Sequence, residues 1–144
     1  MKVKVKKINP LAQLPTRGSL SAAGSDLYAC LEGPLTIKPL ETILVPTGLA
    51  IELVEGTVGL IYARSSLATK NDLAPANKVG VIDSDYRGEI LVALHNHGQS
   101  DQEIQPDQRI AQLVVTPYFE VEFIETSDLS TSTRNDGGFG SSGQ

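Results

Sequence analysis

Short apolar runs separated by turn residues dominate this chain. Val3, Val5 and Ile8 alternate with Lys2, Lys4, Lys6 and Lys7, which predicts a strand with one wet face whose lysines discourage edge pairing. Asn9-Pro10 stops it. Gln13–Gly24 reads as loop and Leu27–Leu31 as strand. Leu35–Ile37, Thr42–Val45, Leu49–Leu53 and Val58–Tyr62 follow as further strands, punctuated by Gly33-Pro34, Lys38-Pro39, Pro46-Thr47-Gly48 and Glu55-Gly56. Arg64–Thr69 is the one short helix predicted, and Asn71–Lys78 reads as a connector. Val79–Ile82 and Glu89–His97 read as two strands joined by a polar turn. Arg109–Val115 is a core strand by composition, and Val121–Ile124 is predicted to be the last strand. No helical period runs long enough for a bundle. Short, evenly spaced strands predict an all-β sandwich, jelly roll or small barrel.

Composition refines this picture at three points. The 144 residues fit one domain, and with no tryptophan and three phenylalanines its core must be mostly aliphatic. The net charge of −5, with no basic block, argues against polynucleotide binding but is compatible with a single nucleotide held by a few arginines and backbone N–H groups. The single cysteine, Cys30, has no internal disulfide partner and reads as a small buried side chain in a reducing compartment. MKVKVKK lacks the apolar core of a signal peptide, and no apolar run approaches membrane-spanning length. The expectation is a cytoplasmic protein with no membrane partner.

The densest chemistry lies in Gly80–Ile90, GVIDSDYRGEI, where the acids Asp83 and Asp85, a tyrosine, an arginine and two glycines sit between apolar runs. A carboxylate on a rigid turn there can be aimed at a substrate, and Asp83 is the candidate; Asp83 and Asp85 read equally well as plain turn acids, with Arg87 able to pair with either. Asp26 follows Gly24, and its local context favours a turn aspartate over an acid that orders water around a metal. Arg64 and Ser65 at a helix start suit either an anion or plain N-capping. Gln112 either faces the wet side of its strand or bonds a ligand. His95 and His97 are expected on opposite faces of a strand, as structural or surface residues rather than one metal pair. Glu125–Gln144 has the composition of a flexible tail, yet Phe139 stands alone among glycines and serines, as in a lid that stacks on a flat ring.

Five motifs in order resemble the trimeric dUTP diphosphatase (dUTPase) family: AGSDLYA at Ala23–Ala29, ARSSLA at Ala63–Ala68, GVIDSDYRGEI at Gly80–Ile90, RIAQLV at Arg109–Val114 and RNDGGFGSSG at Arg134–Gly143. The resemblance implies a jelly-roll-like β subunit, residues 1–125, with a C-terminal lid, residues 126–144, in a homotrimer whose active sites are each built from all three chains. It implies hydrolysis of dUTP to dUMP and pyrophosphate with Mg²⁺, by water attacking the α-phosphorus, which limits uracil in DNA and supplies dUMP for thymidylate synthesis. On matching positions, Asp83 would be the general base. Arg64, Ser65, Ser66 and Gln112 would organise and hold the phosphates, and Asp26 would fix a water of the Mg²⁺ shell. Asn77 and the hairpin backbone through Gly80, Val81 and Ile82 would read uracil, and Tyr86 would pack under deoxyribose. Arg134 would meet the γ-phosphate, Phe139 would stack on uracil, and Gly140, Ser141 and Ser142 would close around the ligand.

The chain departs from the family pattern at Ser25, Ser66, Gln108 and Asn135-Asp136. Two other readings compete with this one. A dCTP deaminase shares the fold and would produce dUTP or dUMP from dCTP. A non-catalytic nucleotide-binding trimer is disfavoured because Asp83, Arg134 and Phe139 are all present.

Overall fold

The computed structural model describes residues 1–133 and 135–136. The described elements are β1 (Lys4–Lys7), β2 (Thr16–Arg17), β3 (Ser25–Tyr28), β4 (Leu35–Ile37), β5 (Thr42–Pro46), β6 (Leu49–Glu52), β7 (Thr57–Tyr62), α1 (Ser65–Lys70), β8 (Leu73–Pro75), β9 (Gly80–Ile82), β10 (Leu91–Asn96), β11 (Gln102–Ile104) and β12 (Arg109–Pro117). The largest sheet runs β2-β3-β12-β7-β9, a second runs β5-β10-β8, and β1-β6 and β11-β4 form two-stranded pairs. Every pairing between them is antiparallel. This is the all-β, jelly-roll-like architecture expected, with one short helix.

The core is the meeting of inward faces. Burial alternates residue by residue along β7 and β10, as a strand with one dry side requires. Leu27, Ile61 and Leu113 from the large sheet meet Val45, Val92 and Leu94 from the second, with Ile37 and Ile104 closing one end. All are aliphatic. Cys30 packs with Ala12 and Leu49 in a small satellite cluster. Burial, then Glu89 and Asp107, push its thiol above the ordinary pKa. Gly48 closes this cluster: its φ is +65°, and a Cβ there would come within 2.8 Å of Ala12 and of the Cys30 Sγ.

The buried polar residues are Thr47, Thr57 and Asn96. Asn96 is fully buried; its amide donates to the carbonyls of Ile37 (2.9 Å) and Ser100 (2.8 Å), and its Oδ1 accepts the Gly98 N–H (2.9 Å). It ties β4, β10 and the following turn together. Asn96→Ala strips three partners at once, and a loss of about 2–4 kcal/mol of unfolding free energy is expected in chemical denaturation.

Several expectations require correction. Val121–Ile124 is not a strand here: after Pro117 no described residue belongs to a strand. The presumed connector contains β8, and Thr16–Arg17 and Gln102–Ile104 add short strands that the turn-rich sequence hid. β9 and β10 do not form a hairpin: β9 pairs with β7, whereas β10 pairs with β5 and β8, so the polar turn crosses between sheets. His95 and His97 are not on opposite sides. Strand alternation places i and i+2 on one face, and their ring centroids lie 4.4 Å apart. Partial desolvation, then His95 and Lys78, hold the His97 pKa below its ordinary value, while Asp72 pulls the other way.

Candidate active site

Two clefts carry the candidate residues. The first is formed where β9 ends. Asn77, Gly80, Val81, Ile82, Asp83 and Tyr86 line it together with Ile61, Glu89 and Leu91, around about 290 Å³. Gly80 is needed here by packing: a Cβ would press on Ile61 at 3.2 Å and on the Asn77 amide at 3.4 Å. The turn that follows is closed by its own backbone, with the Tyr86 N–H donating to the Asp83 carbonyl at 3.1 Å. Arg87 pairs with neither acid. Its guanidinium donates to the carbonyls of Ser84 (2.7 Å) and Tyr86 (3.0 Å) and so stiffens the turn.

Tyr86 is held over this turn by its hydroxyl, which donates to the Glu89 carbonyl at 3.0 Å. Gly88 lets the ring lie there, since a Cβ would collide with the phenol. Glu89 in turn accepts the Gly48 N–H at 2.8 Å, anchoring the far end of the turn to the body of the fold. Asp83 is exposed, and among the described residues no side chain bonds or pairs with its carboxylate. An ionised carboxylate so placed can accept a proton from water.

The second cleft, about 330 Å³, is lined by Asp26, Arg64, Ser65, Ser66 and Gln112. Three elements meet there. Gln112 on β12 lies opposite Asp26 on β3 and Tyr62 on β7. The β12–β3 register shifts between Arg109 and Ala111, and Ile110 and Ala111 are consecutively buried. This bulge turns Arg109 and Gln112 to the same outer side, which strict alternation would forbid. The Asp26 carboxylate accepts from Arg64 (2.9 Å) and Arg109 (3.2 Å). Gln112 donates to the Ala63 carbonyl at 2.9 Å, fixing the junction of β7 and α1. Gly24 makes room for it: a Cβ at that residue would stand 2.5 Å from the Gln112 Oε1.

Arg64 is the N-cap residue of α1 and makes no side-chain cap bond, so Ser65 is not the capping residue. Instead the Thr69 hydroxyl donates to the Ser65 carbonyl at 2.8 Å, and buried Leu67 pins the helix. Two guanidiniums, two hydroxyls and a side-chain amide around one carboxylate form a surface suited to phosphate.

Among the described residues no three carboxylate, imidazole or thiol groups converge as a metal cage. Asp26 is the lone carboxylate of the second cleft. That donor set fits Mg²⁺ bound mostly by phosphate oxygens and its own waters. Arg109 and Glu89 were not singled out from the sequence. The first is aimed by the bulge and the second acts through a backbone contact forty-one residues away, so neither leaves a local signal. Arg134, Phe139, Gly140, Ser141 and Ser142 lie outside the described residues. The two clefts share no lining residue.

A jelly-roll subunit with a slot beside an unengaged carboxylate, and a separate arginine- and serine-lined cleft, defines a nucleotide-handling β protein. The dUTPase family model matches residues 11–143. The chain is 45% identical over 145 residues to the deoxyuridine 5'-triphosphate nucleotidohydrolase of Janthinobacterium sp. (strain Marseille), covering 99% of this chain and 97% of that one. It is 42% identical to the protein of the same name from Paraburkholderia phymatum, covering 100% and 99%. Among solved structures, the Staphylococcus bacteriophage 80alpha dUTPase with dUPNHPP superposes with a TM-score of 0.92 at 26% identity, covering 99% of each chain. The chain belongs to the dUTPase family.

Proposed function

We propose that this chain hydrolyses dUTP to dUMP and pyrophosphate, and that Asp83 is the general base. The observation that carries this reading is the Asp83 carboxylate, exposed at the end of β9 beside Asn77 and Tyr86 and engaged by no described side chain. Water bonded to Asp83 attacks the α-phosphorus in line with the bridging oxygen. Its proton passes to Asp83, its oxygen stays on dUMP, and the bond to the leaving pyrophosphate breaks with its electron pair. Bound Mg²⁺ supplies charge neutralisation on the departing pyrophosphate. Arg64, Ser65, Ser66 and Gln112 hold the phosphates, and Asp26 keeps the guanidiniums of Arg64 and Arg109 in place and would be the residue that holds the cation, through water.

Selection is by exclusion as much as by attraction. Asn77 and the backbone of Gly80, Val81 and Ile82 read the edge of uracil and leave no room for a 5-methyl group. Tyr86, fixed by its bond to the Glu89 carbonyl, lies under deoxyribose where a 2′-hydroxyl would clash. Residues 126–144 act as the lid: Arg134 on the γ-phosphate, Phe139 on the base, Gly140, Ser141 and Ser142 around the triphosphate.

The site is completed in a homotrimer. Its two halves lie in separate clefts of one chain, and Phe119 and Phe123 are 92% and 93% exposed, with Val121 and Ile124 also open. That much apolar surface on an unpaired segment calls for a neighbouring subunit. No helix among the described residues is long and apolar enough to cross a membrane, and the proposed place of action is the cytoplasm.

A side-by-side assay of dUTP, dTTP, UTP and dCTP tests this. We expect dUTP to be turned over at least about 100-fold faster than the others, yielding dUMP and pyrophosphate. Comparable turnover of dTTP or UTP, or formation of dUTP from dCTP, would overturn the reading. In ¹⁸O water the label belongs in dUMP, and label in pyrophosphate would refute attack at the α-phosphorus.

A further inference from the structure

The outer face of β10 carries a pair of groups that the nucleotide chemistry does not use. His95 and His97 are the only two histidines of the chain. Their ring centroids lie 4.4 Å apart with the planes at 66°. We propose that these two imidazoles form a binding site for a borderline divalent transition ion, Zn²⁺, Ni²⁺ or Cu²⁺, separate from the nucleotide site and its Mg²⁺.

The ring separation is close to that of a chelate. A metal–nitrogen bond of about 2.0–2.1 Å plus about 1.1 Å from nitrogen to ring centre puts each centroid about 3.2 Å from the ion. Two such arms meeting at about 90–109° hold their centroids about 4.5–5.2 Å apart. The observed separation is just under this range, within reach of a small rotation about the side-chain bonds.

The scaffold supports both rings. β10 is the middle strand of its sheet, and His95 is paired to Thr42 on one side and Ala74 on the other. The His95 Nδ1 lies 2.8 Å from the Thr42 hydroxyl. With Nδ1–H donating to that oxygen, Nε2 presents its lone pair outward, the arrangement in which a second group orients a metal-bound imidazole. The His97 N–H donates to the Asp72 carbonyl at 2.8 Å, which holds its backbone just past the strand end.

Imidazole selects the later first-row ions over Mg²⁺. Among the described residues no third carboxylate, thiol or imidazole joins the pair, so water fills the remaining positions. The lone cysteine is buried and cannot compete. Occupancy stabilises the folded chain by mass action.

The test uses the full-length chain without a histidine tag, stripped by chelator. Calorimetric titration with Zn²⁺ or Ni²⁺ is expected to show saturable binding that persists in excess Mg²⁺, together with a rise in Tm. His95→Asn and His97→Asn are each expected to weaken binding at least about 10-fold, and Thr42→Val about 10-fold through loss of ring orientation. Turnover of dUTP with Mg²⁺ alone should be unchanged in all three. Substoichiometric Cu²⁺ should broaden both imidazole proton resonances of the unaltered protein, a readout that needs no variant. Absence of saturable binding, imidazole resonances that stay sharp, or undiminished affinity in the folded double variant His95→Asn/His97→Asn would each overturn the proposal.

Discussion

Asp83→Asn is expected to lower kcat by about 10²–10⁴-fold, the usual contribution of a general base, while dUTP affinity changes only a few-fold. The structure explains why the effect should be so selective. Among the described residues no side chain leans on the Asp83 carboxylate, and the turn is closed by the Asp83 main-chain carbonyl, which Asn retains. Asparagine has the same shape but cannot take a proton from water. Single-turnover hydrolysis and equilibrium titration with a non-hydrolysable analogue separate the two effects. Normal hydrolysis by the variant would place the base elsewhere.

Ending the chain after Ser132 should leave the fold intact and reduce turnover by about 10²-fold or more, as expected when closure and alignment of the reacting groups are lost. The last described strand ends at Pro117 and the exposed phenylalanines precede the cut, so neither the core nor the proposed subunit contacts are removed. Circular dichroism and sedimentation should match the full chain. A shortened protein with full activity would show that residues 133–144 are not a lid.

Much of the fold was legible because alternation of apolar and polar residues reports which face of a strand is dry. β4, β5, β6, β7 and β10 fall within the stretches read as strands or a residue beyond them. Alternation does not report a strand's partner. It therefore joined β9 to β10, and it assigned a strand to Val121–Ile124, which has the right composition but pairs with no described strand. Asp83, Tyr86 and Asn77 were legible because their chemistry is packed into one short stretch. The other cleft was less so. Asp26 and Arg109 meet across eighty-three positions of sequence, and the bulge that aims Arg109 leaves no mark on the run RIAQLVV. Gln108 shows the reverse. It departs from the family pattern, yet its Oε1 accepts the Gln105 N–H at 2.8 Å and closes the turn before β12.

The position of β12 bears on how the chain is made. It lies between β3 and β7 in the largest sheet, yet it is the last of the described strands to leave the ribosome. Until about residue 117 has emerged, the bonding edges of two earlier strands have no native mate and the apolar side of the sheet stays open. Nascent chains stalled short of that residue should be the ones most prone to stick to one another, and the ones on which chaperones act.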